Sequence, residues 1–202
     1  MRPLILASSS PTRLQMLQAA DLSVTAVAPR VDEETARAGL EAEGANPQDI
    51  ADALAEMKAA RVAARVAARS PGSLVLGCDQ VLDHHGKALG KAADRDEARR
   101  QLLSLRGQTH RLLSAAVIYD GGTPAWRHVG VARLTMREFS DGFLDAYLDA
   151  NWPDVSGSVG CYKIEADGIR LFSAIEGDHF TILGLPLLPL LLWLGVRGFI
   201  AT

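Results

Sequence analysis

Asp79 directly follows Leu74-Val75-Leu76-Gly77-Cys78, an apolar run that reads as a compact strand. Open α/β sheets hold ligands beyond the carboxyl ends of their strands. A carboxylate there binds a divalent cation or takes a proton from water. The same residue also fits an ordinary turn, bonded to neighbouring N–H groups. Both readings stand at this position.

Four other groups pose the same choice. Ser8-Ser9-Ser10-Pro11-Thr12-Arg13 sets a small polar turn before a helix. Free N–H groups and the helix dipole favour an anion there, and Arg13 offers a forked guanidinium to phosphate. An ordinary N-cap beside a solvated arginine gives the same string. Lys58 shares one helix side with Leu54 and Val62. A lysine in an apolar row either reaches a polar cleft or snorkels along the helix. Asp32 and Glu33 sit in the Val31-Asp32-Glu33-Glu34 stretch, expected to be a loop after a strand. Converging with Asp79, they would form a hard oxygen site for Mg²⁺ or Mn²⁺; alone, they are a solvated acidic loop. Gly86-Lys87-Ala88-Leu89-Gly90-Lys91 sets two lysines among glycines, suited to phosphate oxygens or to an exposed hairpin. It is not a P-loop, because Gly90 comes too soon after Gly86 and Ala92 follows Lys91.

His84, His85, His110, His128 and His179 show no H-E-x-x-H or comparable metal pairing. His110 reads as structural at the start of a strand, and no nucleophile triad follows from spacing, because triads are spatial.

The elements that must position these residues alternate. Residues 3–7 read as a buried strand, followed by a helix with Ser10 as cap and Pro11 at its first position. A strand is expected over 23–28. A helix should open at Asn46-Pro47 and run to about Arg69. Residues 81–90 form a hairpin turning at His85-Gly86. Asp94 starts a helix to Leu105, and long strands flank Asp120-Gly121-Gly122. Ser140 caps a helix through Ala150, and a last helix covers 186–194. The pattern gives an α/β fold with a mixed sheet.

Bulk properties narrow the class. The 202 residues are 48% hydrophobic, enough for one substantial core or two lobes, and nothing suggests a linker between independent domains. A net charge of −3 argues against a general nucleic-acid binder, which is usually basic. Cys78 and Cys161 fit no zinc spacing and suit a reducing cytosol without a disulfide. The N-terminus lacks the apolar region of a signal peptide. The stretch Ile182–Leu194, with two prolines, is too short for a membrane span of about 20 residues. A cytoplasmic protein without membrane or nucleic-acid partners is expected.

Each motif is weak alone, but their order resembles the Maf family of nucleotide pyrophosphatases along almost the whole chain. Leu4–Arg13 looks like its opening signature, Val31-Asp32-Glu33 its acidic loop, and Leu54-Ala55 with Lys58-Ala59 its helix lysine. Gly77-Cys78-Asp79-Gln80-Val81 resembles its catalytic strand. Gly90-Lys91 resembles its Gly-Lys-Pro, with Ala92 for proline, and Gly107 with His110 its Ser-Gly-x-x-His, with Arg106 for serine. Residues 160–165, 175–178 and 184–187 resemble its C-terminal blocks.

The resemblance implies one α/β domain over 1–202, with a mixed sheet, two lobes around a substrate cleft, and often a homodimer. It implies a house-cleaning enzyme in which water attacks the α-phosphate of a nucleoside triphosphate and pyrophosphate leaves. Asp79 falls on the proton acceptor. The metal dependence that the resemblance implies leads us to expect Glu33, with Asp79, at the site for Mg²⁺ or Mn²⁺. Ser9, Arg13, Lys58 and Lys91 fall on phosphate-binding positions. The family divides into a branch preferring dTTP and UTP and one preferring 7-methyl-GTP. At the three diagnostic positions this chain has Thr12, Gln80 and Glu165, and the last two resemble the methylguanine branch. A carboxylate at 165 suits guanine, whose N1–H and amine donate, better than uracil or thymine with their two carbonyl acceptors. The rival readings are a dTTP/UTP-preferring enzyme and a nucleotide-binding regulator of cell division with little turnover.

Overall fold

In the computed structural model, which describes residues 2–201, the expected alternation is present. The strands are β1 (Leu4–Ala7), β2 (Val24–Ala26), β3 (Leu74–His84), β4 (Lys87–Leu89), β5 (Thr109–Asp120), β6 (Thr123–Met136) and β7 (Phe172–Glu176). The helices are α1 (Pro11–Ala19), α2 (Glu33–Ala42), α3 (Pro47–Val66), α4 (Arg95–Leu105), α5 (Asp141–Asn151), α6 (His179–Ile182) and α7 (Leu187–Val196). One seven-stranded sheet runs in the order β2-β1-β3-β5-β6-β7, with β4 paired to β3. β1 is parallel to both β2 and β3, whereas β4 and β7 pair antiparallel with β3 and β6. The sheet is therefore mixed, as the alternation predicts.

The chain divides into two compact units, consistent with two lobes. The first holds residues 2–80, 113–131 and 178–201. Its core packs Leu4 and Leu6 of β1, Leu74 and Leu76 of β3 and Ile118 of β5 with Leu17 of α1 and Leu190 and Leu194 of α7. These side chains are fully or almost fully buried. At about 25 cal/mol per Å² of apolar surface, each large one contributes on the order of 2 kcal/mol. α3 turns a row of Ile50, Leu54, Lys58 and Val62 inward, at the i, i+4 spacing of one helix face. Gly77 decides how closely α3 meets β3. A Cβ at Gly77 would fall 2.7 Å from Ala59 N and closer still to Ala55 O, so no side chain fits.

The second unit holds residues 81–112 and 132–177. Leu102 and Leu105 of α4 are buried, as are Leu144 and Leu148 of α5. α4 and α5 are also tied by Arg99, which binds Asp145 (2.7 Å) and Asp141 (3.2 Å).

Local signals account for the helix starts. Ser10, Asn46, Asp94 and Ser140 each accept a hydrogen bond from a first-turn N–H of the helix they precede. The β3–β4 hairpin turns at His85-Gly86, both at positive φ (55° and 81°), as a two-residue turn requires. Two expectations need correction. Val31–Glu34 is not a loop: α2 begins at Glu33, and Asp32 caps it by accepting from Thr35 N (3.1 Å) and Thr35 Oγ1 (2.8 Å). Asp32 is thus committed to a helix end and does not join a carboxylate cluster. β3 does not stop at Cys78 but runs on to His84, so Asp79 lies inside a long strand. Asp79 instead lies two residues past Gly77, the last residue of β3 in register with β1.

Candidate active site

Three charged side chains from separate elements of the first unit meet. Lys58 Nζ lies 2.6 Å from Asp79 Oδ1 and 2.7 Å from Glu33 Oε2. Lys58 and Asp79 are almost wholly buried, at 5% and 6% exposure, while Glu33 is open to solvent. α3 meets β3 closely at Gly77, and Lys58 contacts Asp79 two residues further along the strand. Glu33 arrives on the first residue of α2, where a carboxylate also suits the helix dipole.

Burial pushes the Asp79 carboxyl above the ordinary aspartate range. The Lys58 ammonium pulls the other way through charge and hydrogen bond, as does Arg13 through charge, whereas Glu33 adds to the rise. A carboxylate of raised basicity, held by an ammonium, is suited to accepting a proton.

Arg13 is the fourth member. Its Nε donates to Gly184 O (2.7 Å), and its Nη1 to Cys78 O (3.2 Å) and Ser8 Oγ (3.3 Å). These bonds hold the guanidinium beside the residue preceding Asp79. Among the described residues none accepts from Nη2. Gly184 has φ +99°, and a Cβ there would lie 3.2 Å from Arg13 Nε and Nη2. Glycine therefore lets the guanidinium lie against the turn.

The remaining predicted residues are placed as follows. Ser9 is exposed beside α1, and Thr12 is half-buried in its first turn. Ser8, which sequence reasoning did not single out, is the buried serine of the turn; its Oγ also accepts from Ser10 N (3.2 Å). Gln80 follows Asp79, and its Nε2 donates to Ser114 Oγ (3.0 Å), Ile182 O (2.9 Å) and Thr181 O (3.2 Å). Asp178 caps the short α6 through Thr181 N (2.8 Å) and Thr181 Oγ1 (2.9 Å). The Asp-x-x-Thr spacing of 178–181 carries that signal in the sequence. Lys91 and Glu165 are exposed residues of the second unit.

The second unit also buries a neutral polar pair. His110 Nε2 bonds Tyr162 Oη (2.7 Å) among Tyr162 and Phe172 rings, and its Nδ1 has no partner among the described residues. Burial pulls the imidazole down to about 4, so it is uncharged at neutral pH, in keeping with a structural role.

Comparison with known proteins now bears on this arrangement. The family model described as Maf-like protein matches residues 3–195. The chain belongs to the Maf-like family. Among its relatives, a nucleoside triphosphate pyrophosphatase of Ruegeria pomeroyi is 53% identical over 200 residues, covering 99% of this chain and 98% of the relative. A 7-methyl-GTP pyrophosphatase of Mesorhizobium japonicum is 50% identical over 197 residues, covering 98% and 97%. A nucleoside triphosphate pyrophosphatase of Caulobacter vibrioides is also 50% identical, over 196 residues, covering 97% and 96%. The resemblance that the ordered motifs carry is thus a family membership over nearly the full Maf-like chain. No helix among the described residues is long and apolar enough to cross a membrane.

Proposed function

We propose that this Maf-like protein hydrolyses a nucleoside triphosphate to the monophosphate and pyrophosphate, with Asp79 as proton acceptor. The observation that carries the reading is the buried Lys58–Asp79 contact, with Glu33 on the same ammonium and Arg13 held beside the strand. Full-length relatives about half identical to this chain bear the name of that activity.

A triphosphate brings about four negative charges, and these must be offset before water approaches phosphorus. Arg13 Nη2 and the start of α1 offer donors to phosphate oxygens. Lys58 supplies a second positive charge, freed as substrate oxygens replace the carboxylates around it. Asp79 orients the water and takes its proton. The water oxygen bonds to the α-phosphorus as the bond to the departing pyrophosphate breaks. Ser9 and Lys91 are proposed as further phosphate donors on family resemblance.

A divalent cation, Mg²⁺ or Mn²⁺, belongs to this reading. Asp79 Oδ1 and Glu33 Oε2 already converge on a single ammonium, so the two carboxylates reach a common cationic point. Among the described residues no group of three or more His, Cys, Asp or Glu gathers. Two protein carboxylates with the remaining positions left to water and phosphate is a usual arrangement for Mg²⁺. When bound, the ion would neutralise phosphate charge and lower the pKa of a bound water.

For the base we propose a 7-methyl-GTP-like substrate, with Glu165 accepting from the guanine edge and Thr12 as a further selecting position. One relative carries that name, and the carboxylate chemistry agrees with it. The test of the activity is pyrophosphate release from a panel of standard and modified nucleoside triphosphates with Mg²⁺ or Mn²⁺. Asp79→Asn should lose at least about a hundredfold in kcat while remaining folded. Unchanged turnover in that variant would remove Asp79 from its role.

A further inference from the structure

We propose that Gln101 is a positioning residue for Lys91: with Glu97 it clamps the backbone link that carries the lysine. This role rests on the proposed phosphate binding by Lys91 and deepens it.

Lys91 stands in the link 90–94 between β4 and α4, where neither strand nor helix fixes the backbone. Its side chain is exposed. Ala92 follows, where the Maf pattern has proline, and alanine does not lock φ as a proline ring does. The order of the link has to come from its contacts.

Two side chains of α4 supply them. Glu97 and Gln101 are four residues apart and so share one side of the helix. Gln101 Nε2 donates to Gly90 O (3.2 Å) and to Glu97 Oε1 (3.4 Å). Glu97 Oε2 accepts from Ala93 N (2.8 Å). The carbonyl before Lys91 and the N–H two residues after it are thus bound to one helix face. Both partners of the Gln101 amide are pure acceptors, which decides that its nitrogen faces them. Glu97 is itself anchored, because its N–H donates to Asp94 Oδ1 (2.7 Å) in the helix cap. Lys91 therefore starts from a backbone held on both sides, and a phosphate has only its side chain to order. All these residues lie in the second unit.

Gln101 Oε1 is buried and has no partner among the described residues. A side chain suited only to packing would not carry that acceptor, and methionine would fill the same length without it. What accounts for the amide is the pair of acceptors that its nitrogen holds.

Gln101→Met removes both donors. It should melt within about 3 °C of the wild type, because it also gives up the unpaired acceptor. Its kcat/KM should fall about fivefold on every nucleoside triphosphate, since phosphates are common to all of them. Gln101→Glu turns the donor into an acceptor facing two acceptors and should lose more than Gln101→Met. A side chain that only fills space gives the reverse order. In a Lys91→Met background, Gln101→Met should cost less than about twofold further. Wild-type turnover by folded Gln101→Met, or its full loss retained beside Lys91→Met, overturns the inference.

A second readout needs no activity. By NMR, the Ala93 N–H should exchange with solvent about fivefold faster or more in Gln101→Met. It should keep the wild-type rate in Arg100→Met, at an exposed site on α4. Unchanged exchange in Gln101→Met overturns the clamp. If Lys91→Met leaves kcat/KM unchanged, the phosphate role of Lys91 fails, and the exchange result still decides whether Gln101 holds the link.

Discussion

Lys58 Nζ sits 2.6 Å from Asp79 Oδ1 with both side chains almost wholly out of water. An ion pair so placed depends on both partners, because removing one leaves an uncompensated buried charge. Lys58→Met should therefore destabilise the protein, and the sign of its pH dependence identifies Asp79 as the stranded group. Burial already raises the folded carboxyl above its unfolded value, and losing Lys58 raises it further. The folded state then keeps a proton that the unfolded chain has released, so stability falls as pH rises. Urea unfolding should show the variant's deficit growing from about pH 4 to neutrality, to about 3 kcal/mol. A deficit constant across that range would exclude Asp79 as its source.

His110 gives the opposite slope. Its folded imidazole is pulled down to about 4 from an ordinary 6.5, by burial first and the charge of His84 second. The unfolded chain binds the proton first, so stability is full above about pH 6.5 and is lost as pH falls toward 4. The full difference is about 3 kcal/mol. His110→Phe should flatten this limb of the pH–stability curve, whatever it does to stability at neutral pH. An unchanged acid limb would contradict the assignment.

Gly77→Ala tests the helix–strand contact that aligns Lys58. The added methyl group meets backbone atoms of Ala55 and Ala59 rather than a flexible side chain. Overpacking of this kind costs about 1–3 kcal/mol. Activity per folded molecule should also fall, as α3 moves Lys58 from Asp79. Thermal melts together with turnover of the folded fraction measure both, and a wild-type melting curve would refute the tight contact.

Glu165→Gln should weaken selection for guanine-type nucleotides more than turnover in general. kcat/KM on 7-methyl-GTP should drop by about tenfold relative to UTP. Equal losses on the two nucleotides would place Glu165 outside base selection.

Neither thiol should react in the folded protein. Cys78 is fully buried, and burial pushes its thiol up to about 11; burial also raises Cys161. A thiolate is the reactive form, so alkylation at mildly basic pH should label both cysteines only after unfolding. Rapid labelling of native protein would contradict the packing around β3.

The helix starts at Pro11, Pro47, Arg95 and Asp141 were legible because a cap is a local event written in adjacent residues. α2 escaped because no residue of it is buried and Leu40 is its one large apolar side chain, too little to mark a core-facing stripe. Its only announcement is Asp32 before Thr35, with Glu33 and Glu34 in the first turn. The continuation of β3 escaped because Asp79 and Asp83 interrupt the apolar run. Asp83 is nevertheless buried, with Arg111 as its partner. Family resemblance found Lys58, Glu33 and Asp79, but their meeting on one ammonium is a tertiary fact. Gln80 was legible as a special position, whereas its partners are two backbone carbonyls and one serine. Carbonyls have no signature in a sequence, so its grip on the turn could only be seen in three dimensions.

The bare α-carbon of residue 77 has a consequence for descent. Any lineage that acquires a side chain there must first move α3, the helix that bears Lys58. Neutral drift at this codon is closed off by geometry, although Gly77 has no side chain to offer a substrate. Ancestral variation around the site should thus be sought on α2 beyond Glu33, where solvent leaves room to explore.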